Sequence, residues 1–114
     1  MLCPAAGHRP KAALAPGPDG WDRFAIEHWT VVRKDHRFAA LYAGEADSDR
    51  HWRIGYAESD DGIAWTRAGQ PVLEPGPSGS WDSYFVIPAA VLEAGDQYLM
   101  YYWGGSDPFV PIAV

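Results

Sequence analysis

The chain has 114 residues, 47% hydrophobic and 21% charged, which is the composition of one folded domain and not of a disordered tail. A net charge of −6 excludes the basic face that a nucleic-acid partner requires. The single cysteine, Cys3, rules out an internal disulfide and a Cys-based zinc site, and no run of about 18 apolar residues is present to span a membrane as a helix.

The opening MLCPAAGHRP lacks the basic start and long apolar stretch of a secretion signal, so a soluble, cytoplasmic protein is the expectation. Helical periodicity is interrupted throughout by 10 Pro and 12 Gly. Strand patterns recur instead. In chain order the predicted strands are Ala25–Arg33, Arg37–Ala43, Trp52–Glu58, Ile63–Thr66, Tyr84–Glu93 and Gln97–Trp103, separated by turn-forming clusters.

In RIGYAESDDGIAW, residues 53–65, Asp61-Gly62 supplies the positive φ of a chain reversal. Ser59 with Asp60 or Asp61 can bond the turn amides, and Trp65 packs on neighbouring strands. The functional alternative is a cation site built from Glu58, Asp60 and Asp61. Strand and turn geometry aims those side chains in different directions, and calcium-loop spacing is absent. The structural reading is preferred.

A repeat then organises the chain. PGPDG at Pro16–Gly20 and PGPSG at Pro75–Gly79 precede Trp21-Asp22 and Trp81-Asp82, and from those Trp-Asp pairs onward the copies align without gaps at an offset of 60 residues. Val31 meets Val91, Phe38 meets Tyr98, Tyr42 meets Tyr102 and Gly44 meets Gly104. A unit of this size holding four strands is one propeller blade. The expected fold is therefore all-β, a partial β-propeller of four-stranded antiparallel blades repeating about every 60 residues. Residues 1–20 would end a preceding blade, 21–80 form a complete one, and 81–114 begin another.

GPSGSWDS at Gly76–Ser83, VIPAAVLEAGDQYLMYYWGG at Val86–Gly105 and RIGYAESDDGIAWTRAGQPVL at Arg53–Leu73 carry a resemblance. They resemble the five-bladed β-propeller glycosidase superfamily, which includes the arabinanase, xylosidase, invertase, levansucrase and mannoside-phosphorylase groups. The resemblance runs from about Pro10 onward and implies a carbohydrate-acting protein. Ser59–Trp65 also looks like a loose Asp-box of sialidase-type propellers, one residue short between Asp and Gly.

The repeat gives an internal comparison. Asp22 and Asp82 occur in both copies, so capping turns is their first reading, and an inward, substrate-facing carboxylate such as Asp82 is the second. Glu27-His28 stands where the other copy has Ile87-Pro88. In the resembled glycosidases an acid followed by Pro lies on the innermost strand near the central pocket, which makes Glu27 the catalytic candidate; His28 departs from that pattern. A blade-face carboxylate paired with Arg23 or Arg33 is the alternative. His28 is a candidate for a sugar hydroxyl, and Trp29 and Trp103 are candidate stacking platforms, with core or inter-blade packing as the plainer role. Inverting hydrolysis needs a second carboxylate about 6.5–9.5 Å from the first. Ile87 supplies none, so a catalytically complete site is not expected in this chain alone.

No nucleophile elbow, phosphate loop or HExxH motif is found, and no cofactor or metal is expected. About two blades cannot close a ring. A piece of a longer propeller, self-association through blade faces, and a decayed paralogue are the explanations in order. The implied partner is a carbohydrate. A non-catalytic blade module for carbohydrate or protein binding is the alternative function.

Overall fold

A computed structural model describes residues 13–107. Cys3, the flanking segment that starts at Pro10 and the ending PFVPIAV fall wholly or partly outside the described residues.

The described residues form six strands and no helix: β1 Ala25–Lys34, β2 Arg37–Glu45, β3 Arg53–Ser59, β4 Thr66–Arg67, β5 Phe85–Ala94 and β6 Gln97–Gly105. All pairings are antiparallel. One sheet has four strands in the order β1-β2-β3-β4, and the other is the β5-β6 hairpin. The fold is all-β, with a blade-like meander followed by a second hairpin.

The two hairpins are copies in space as well as in sequence. β5 and β6 begin 60 residues after β1 and β2. Asp35 (φ 57°) and Gly95 (φ 64°) occupy the same left-handed turn position. Register shifts between Glu27 and Thr30 in β1, and between Pro88 and Ala90 in β5. This bulge also explains why a proline is tolerated inside β5, since a bulge releases the ladder from needing every N–H.

The Trp-Asp pair that opens each copy folds back over its own hairpin. Trp21 stacks on Tyr42 with ring centroids 5.8 Å apart, and Trp81 on Tyr102 at 5.5 Å. A Cβ on Gly44 would lie 2.7 Å from both the Trp21 ring and the Asp22 Cβ, so only glycine admits this approach. Gly104 meets Trp81 and Asp82 in the same way.

One expected strand, Ile63–Thr66, is shorter than predicted and begins later. Ile63 and Ala64 belong to the turn, and only Thr66–Arg67 pairs with β3. The cause is local: Asp61 Oδ1 accepts the amides of Ile63 at 2.8 Å and Ala64 at 3.0 Å, removing both from any ladder. These bonds hold the Asp61 carboxyl below the usual range, that from Ala64 contributing most. Ser59 Oγ accepts the Gly62 amide at 2.8 Å, Gly62 has φ 77°, and Trp65 Nε1 donates to the Gly62 carbonyl at 3.2 Å. Glu58 and Asp60 both face Arg37, at 3.0 and 2.7 Å. All three acids of this hairpin therefore engage protein groups.

The second hairpin packs on the first sheet through Ala43, Phe85 and Ile87, with Trp52 and Tyr84 beside them. Val86 donates its amide to the Trp52 carbonyl at 3.0 Å. Tyr84 donates its hydroxyl to the Asp49 carbonyl at 2.8 Å and stacks on His51 at 4.0 Å between centroids. A groove of about 190 Å³ between the sheets is lined by Val32, Ala39, Leu41, Tyr56, Val91 and Tyr98, among others.

Candidate functional site

β1 is an edge strand of the four-stranded sheet, and its bulge lies where the two copies differ most in sequence. His28 sits in the bulge with φ 53°, a left-handed backbone that a histidine adopts only under constraint. The bulge takes His28 and Trp29 out of the ladder and leaves both side chains exposed at the strand edge.

Glu27 is exposed, with Oε2 3.5 Å from His28 Nδ1. Arg23, one candidate partner for Glu27, turns to Asp47 at 3.3 Å instead. Trp29 meets Trp65 with centroids 5.1 Å apart and planes tilted by 59°, keeping 38% of its surface open. An indole supported on one face and open elsewhere fits a stacking platform.

Sequence reasoning missed Glu45. Register pairs Ala25 with Glu45 and Glu27 with Ala43, so the two glutamates stand two positions apart along one face of the hairpin. Glu45 is only 4% exposed and accepts the Arg50 amide at 2.9 Å. Burial pushes its carboxyl up; the charges of Asp49 and Glu27 add to the rise, and the Arg50 amide and charge oppose it. A buried carboxyl with a raised pKa, within electrostatic reach of a more exposed carboxylate, is an arrangement that general acid–base chemistry can use. The signal was available: Glu45 stands where the other copy has Gly105.

The remaining candidates lie elsewhere. Asp82 is buried and uses both oxygens internally, accepting Ser80 Oγ at 2.8 Å and the Tyr102 hydroxyl at 2.9 Å. The Ser80 bond is the main reason its carboxyl lies below the usual range. Trp103 is exposed on β6 opposite Ile87, in the other sheet. The structure thus groups Glu27, His28 and Trp29 with Glu45, and sets Asp82 and Trp103 apart from them.

No family model and no curated protein sequence matches the chain. A solved protein from a complex described by the names BT0996 and RGII is similar in structure, with a TM-score of 0.61 and 24% sequence identity. The match covers 83% of this chain and 30% of that one. The likeness is one of fold. The chain spans less than a third of the length of that protein.

Proposed function

We propose that the chain is part of a carbohydrate-acting β-propeller of the five-bladed glycosidase type, not catalytically complete alone, with one complete blade at 21–80 and the first half of another at 81–114. The observation that carries this reading is the edge cluster of Glu27, His28 and Trp29 with the buried Glu45 beside it. In support, the structural relative's description names RGII, a carbohydrate. In this reading Glu27 is the acid/base contributor, the buried Glu45 beside it adds to its electrostatic setting, His28 bonds a sugar hydroxyl and Trp29 stacks on a sugar ring. Asp82 and Trp103, which belong to the second copy, contribute to blade structure or to a separate sugar contact. The second hairpin offers no acid at Ile87, so further carboxylates would come from other blades.

A second reading, a non-catalytic blade module that binds glycan, is favoured by the internal use of Asp22 and Asp82, the carboxylates common to both copies. Glycan-array binding of the wild type, Glu27→Gln and Trp29→Ala tests what both readings share. Retention of a glycan class by the wild type and its loss in Trp29→Ala is expected. No retention of any glycan by folded wild type sinks both readings. Release of reducing sugar that requires Glu27, measured with the remaining blades supplied, separates the enzyme from the module.

A further inference from the structure

The two copies differ at the joint between them. Tyr84 of the second hairpin stands where the first copy has Phe24, so it alone of the pair carries a hydroxyl. Glu45 of the first blade stands where the second copy has Gly105, so it alone carries a carboxyl. Both departures from the repeat meet at one loop, residues 46–52, which joins β2 to β3.

That loop is held at a local cost. It turns back on Glu45, and the Arg50 amide donates to Glu45 Oε2 at 2.9 Å. Arg50 there has φ 63°, a left-handed backbone that an arginine adopts against its preference. The next residue, His51, has its Nδ1 buried with no hydrogen-bond partner among the described residues. A strained φ and an unpaired polar atom in consecutive residues persist only where neighbouring contacts hold them.

Part of that support comes from the loop and its flank. The His51 amide donates to Asp49 Oδ1 at 3.0 Å, and Arg53 Nη1 donates to the His51 carbonyl at 3.3 Å. The rest comes from the next hairpin. Tyr84 donates its hydroxyl to the Asp49 carbonyl at 2.8 Å. Its ring lies on His51 with centroids 4.0 Å apart and planes 23° from parallel. One side chain thus grips the residues on either side of Arg50.

We propose that Tyr84 is a positioning residue for Glu45: by gripping Asp49 and His51, it fixes the Arg50 amide that holds the carboxyl in place. The second hairpin thereby completes a site that lies on the first blade, and the site forms only when the two are docked. The inference rests on Glu45 belonging to the proposed glycan site. Its test reads Glu45 and Arg50 directly and needs no glycan, so the two can fail separately.

The test compares wild type with two variants of the full chain, each checked for folding by near-UV circular dichroism. Tyr84→Phe removes the hydroxyl bond and keeps the ring; His51→Leu removes the ring stack and keeps the bond. Either one carries the test. Amide hydrogen exchange at Arg50, read by NMR, should be about tenfold faster or more in each, with the ladder amides of β2 and β3 at wild-type rates. The Glu45 carboxyl, followed by carbon-13 titration, should move down toward its ordinary value. A loosened loop gives up the burial that raises it, the larger effect, together with the opposing Arg50 bond. Tyr101→Phe, a hydroxyl lost from an exposed residue of β6, is the control and should change neither. Wild-type exchange at Arg50 and wild-type titration of Glu45 in the folded variants overturn the proposal. So does equal acceleration of every amide, which would mean that Tyr84 serves only the stability of the whole fold.

Discussion

Tyr42 donates its hydroxyl to Asp22 Oδ2 at 2.9 Å, and Tyr102 donates to Asp82 Oδ2 at the same distance in the second copy. The bond ties the segment before each blade to the blade's second strand, beneath the stacked tryptophan. Burial, followed by the bond to Asp22, pushes the Tyr42 phenol up strongly, so it stays protonated and donating. The two sites differ in one respect. Asp22 is 2% exposed and also receives Arg67 Nη1 at 2.5 Å, whereas Asp82 receives Ser80. Arg67 further donates to the Ala15 carbonyl, so a cation on β4 clamps the incoming chain.

Removing the carboxylate should therefore be unequal in the two copies. Asp22→Ala strands a partly buried guanidinium and a buried hydroxyl, and should cost about 3 kcal/mol. Asp82→Ala, with only neutral donors left behind, should cost about 1–2 kcal/mol. Urea unfolding measures both. Equal losses would mean that Arg67 contributes nothing beyond the tyrosine bond.

Gly44 has no room for a side chain. Gly44→Ala should destabilise by about 1–3 kcal/mol, because the new methyl forces the Trp21 ring off Tyr42. Trp21 fluorescence should shift toward that of a solvated indole. Gly69→Ala, where nothing lies within 4 Å, is the control and should be near neutral.

Stability should respond to pH from two directions. Glu45 has a folded pKa above its ordinary value of 4.5, so its contribution is full below that value and is lost as pH rises through the folded pKa. Asp82 and Asp61 are lowered, so theirs are present above their unfolded pKa values and lost as pH falls through the folded ones. Glu45→Gln should therefore raise stability at neutral pH relative to mildly acidic pH, with the acid limb unchanged. Thermal melts across the acidic range measure this. A Glu45→Gln profile parallel to wild type would show that burial of that carboxyl carries no folding cost.

His28 stores backbone strain beside the candidate site. His28→Gly should stabilise by up to about 1 kcal/mol, since glycine accepts φ 53° without a Cβ clash. The same change should weaken glycan binding. His28→Ala should weaken binding without the stability gain. Stability equal in the glycine and alanine variants would remove strain as a feature of the bulge.

The periodic content of the chain was legible without a structure. Alternating apolar residues bounded by Gly, Pro and Asp fix where β1, β2, β3, β5 and β6 lie, because a half-buried pleat imposes a period of two. The repeat of Trp-Asp, Tyr and Gly at constant spacing shows two equivalent hairpins before any contact is known. Asp61 reads as a turn former in the sequence, but its capture of the Ile63 and Ala64 amides, which cuts the expected fourth strand short, does not.

Tertiary structure alone decided which acids are free. The repeat separates Asp82, present in both copies, from Glu27, which is not; folding supplies the partners, giving both oxygens of one to Ser80 and Tyr102 and leaving the other exposed beside His28. It also buried Glu45 within reach of Glu27, a pairing set by antiparallel register across β1 and β2. Period and composition are properties of neighbouring residues along the chain. Burial, register and charge environment depend on residues brought together from afar, and only the folded chain specifies them.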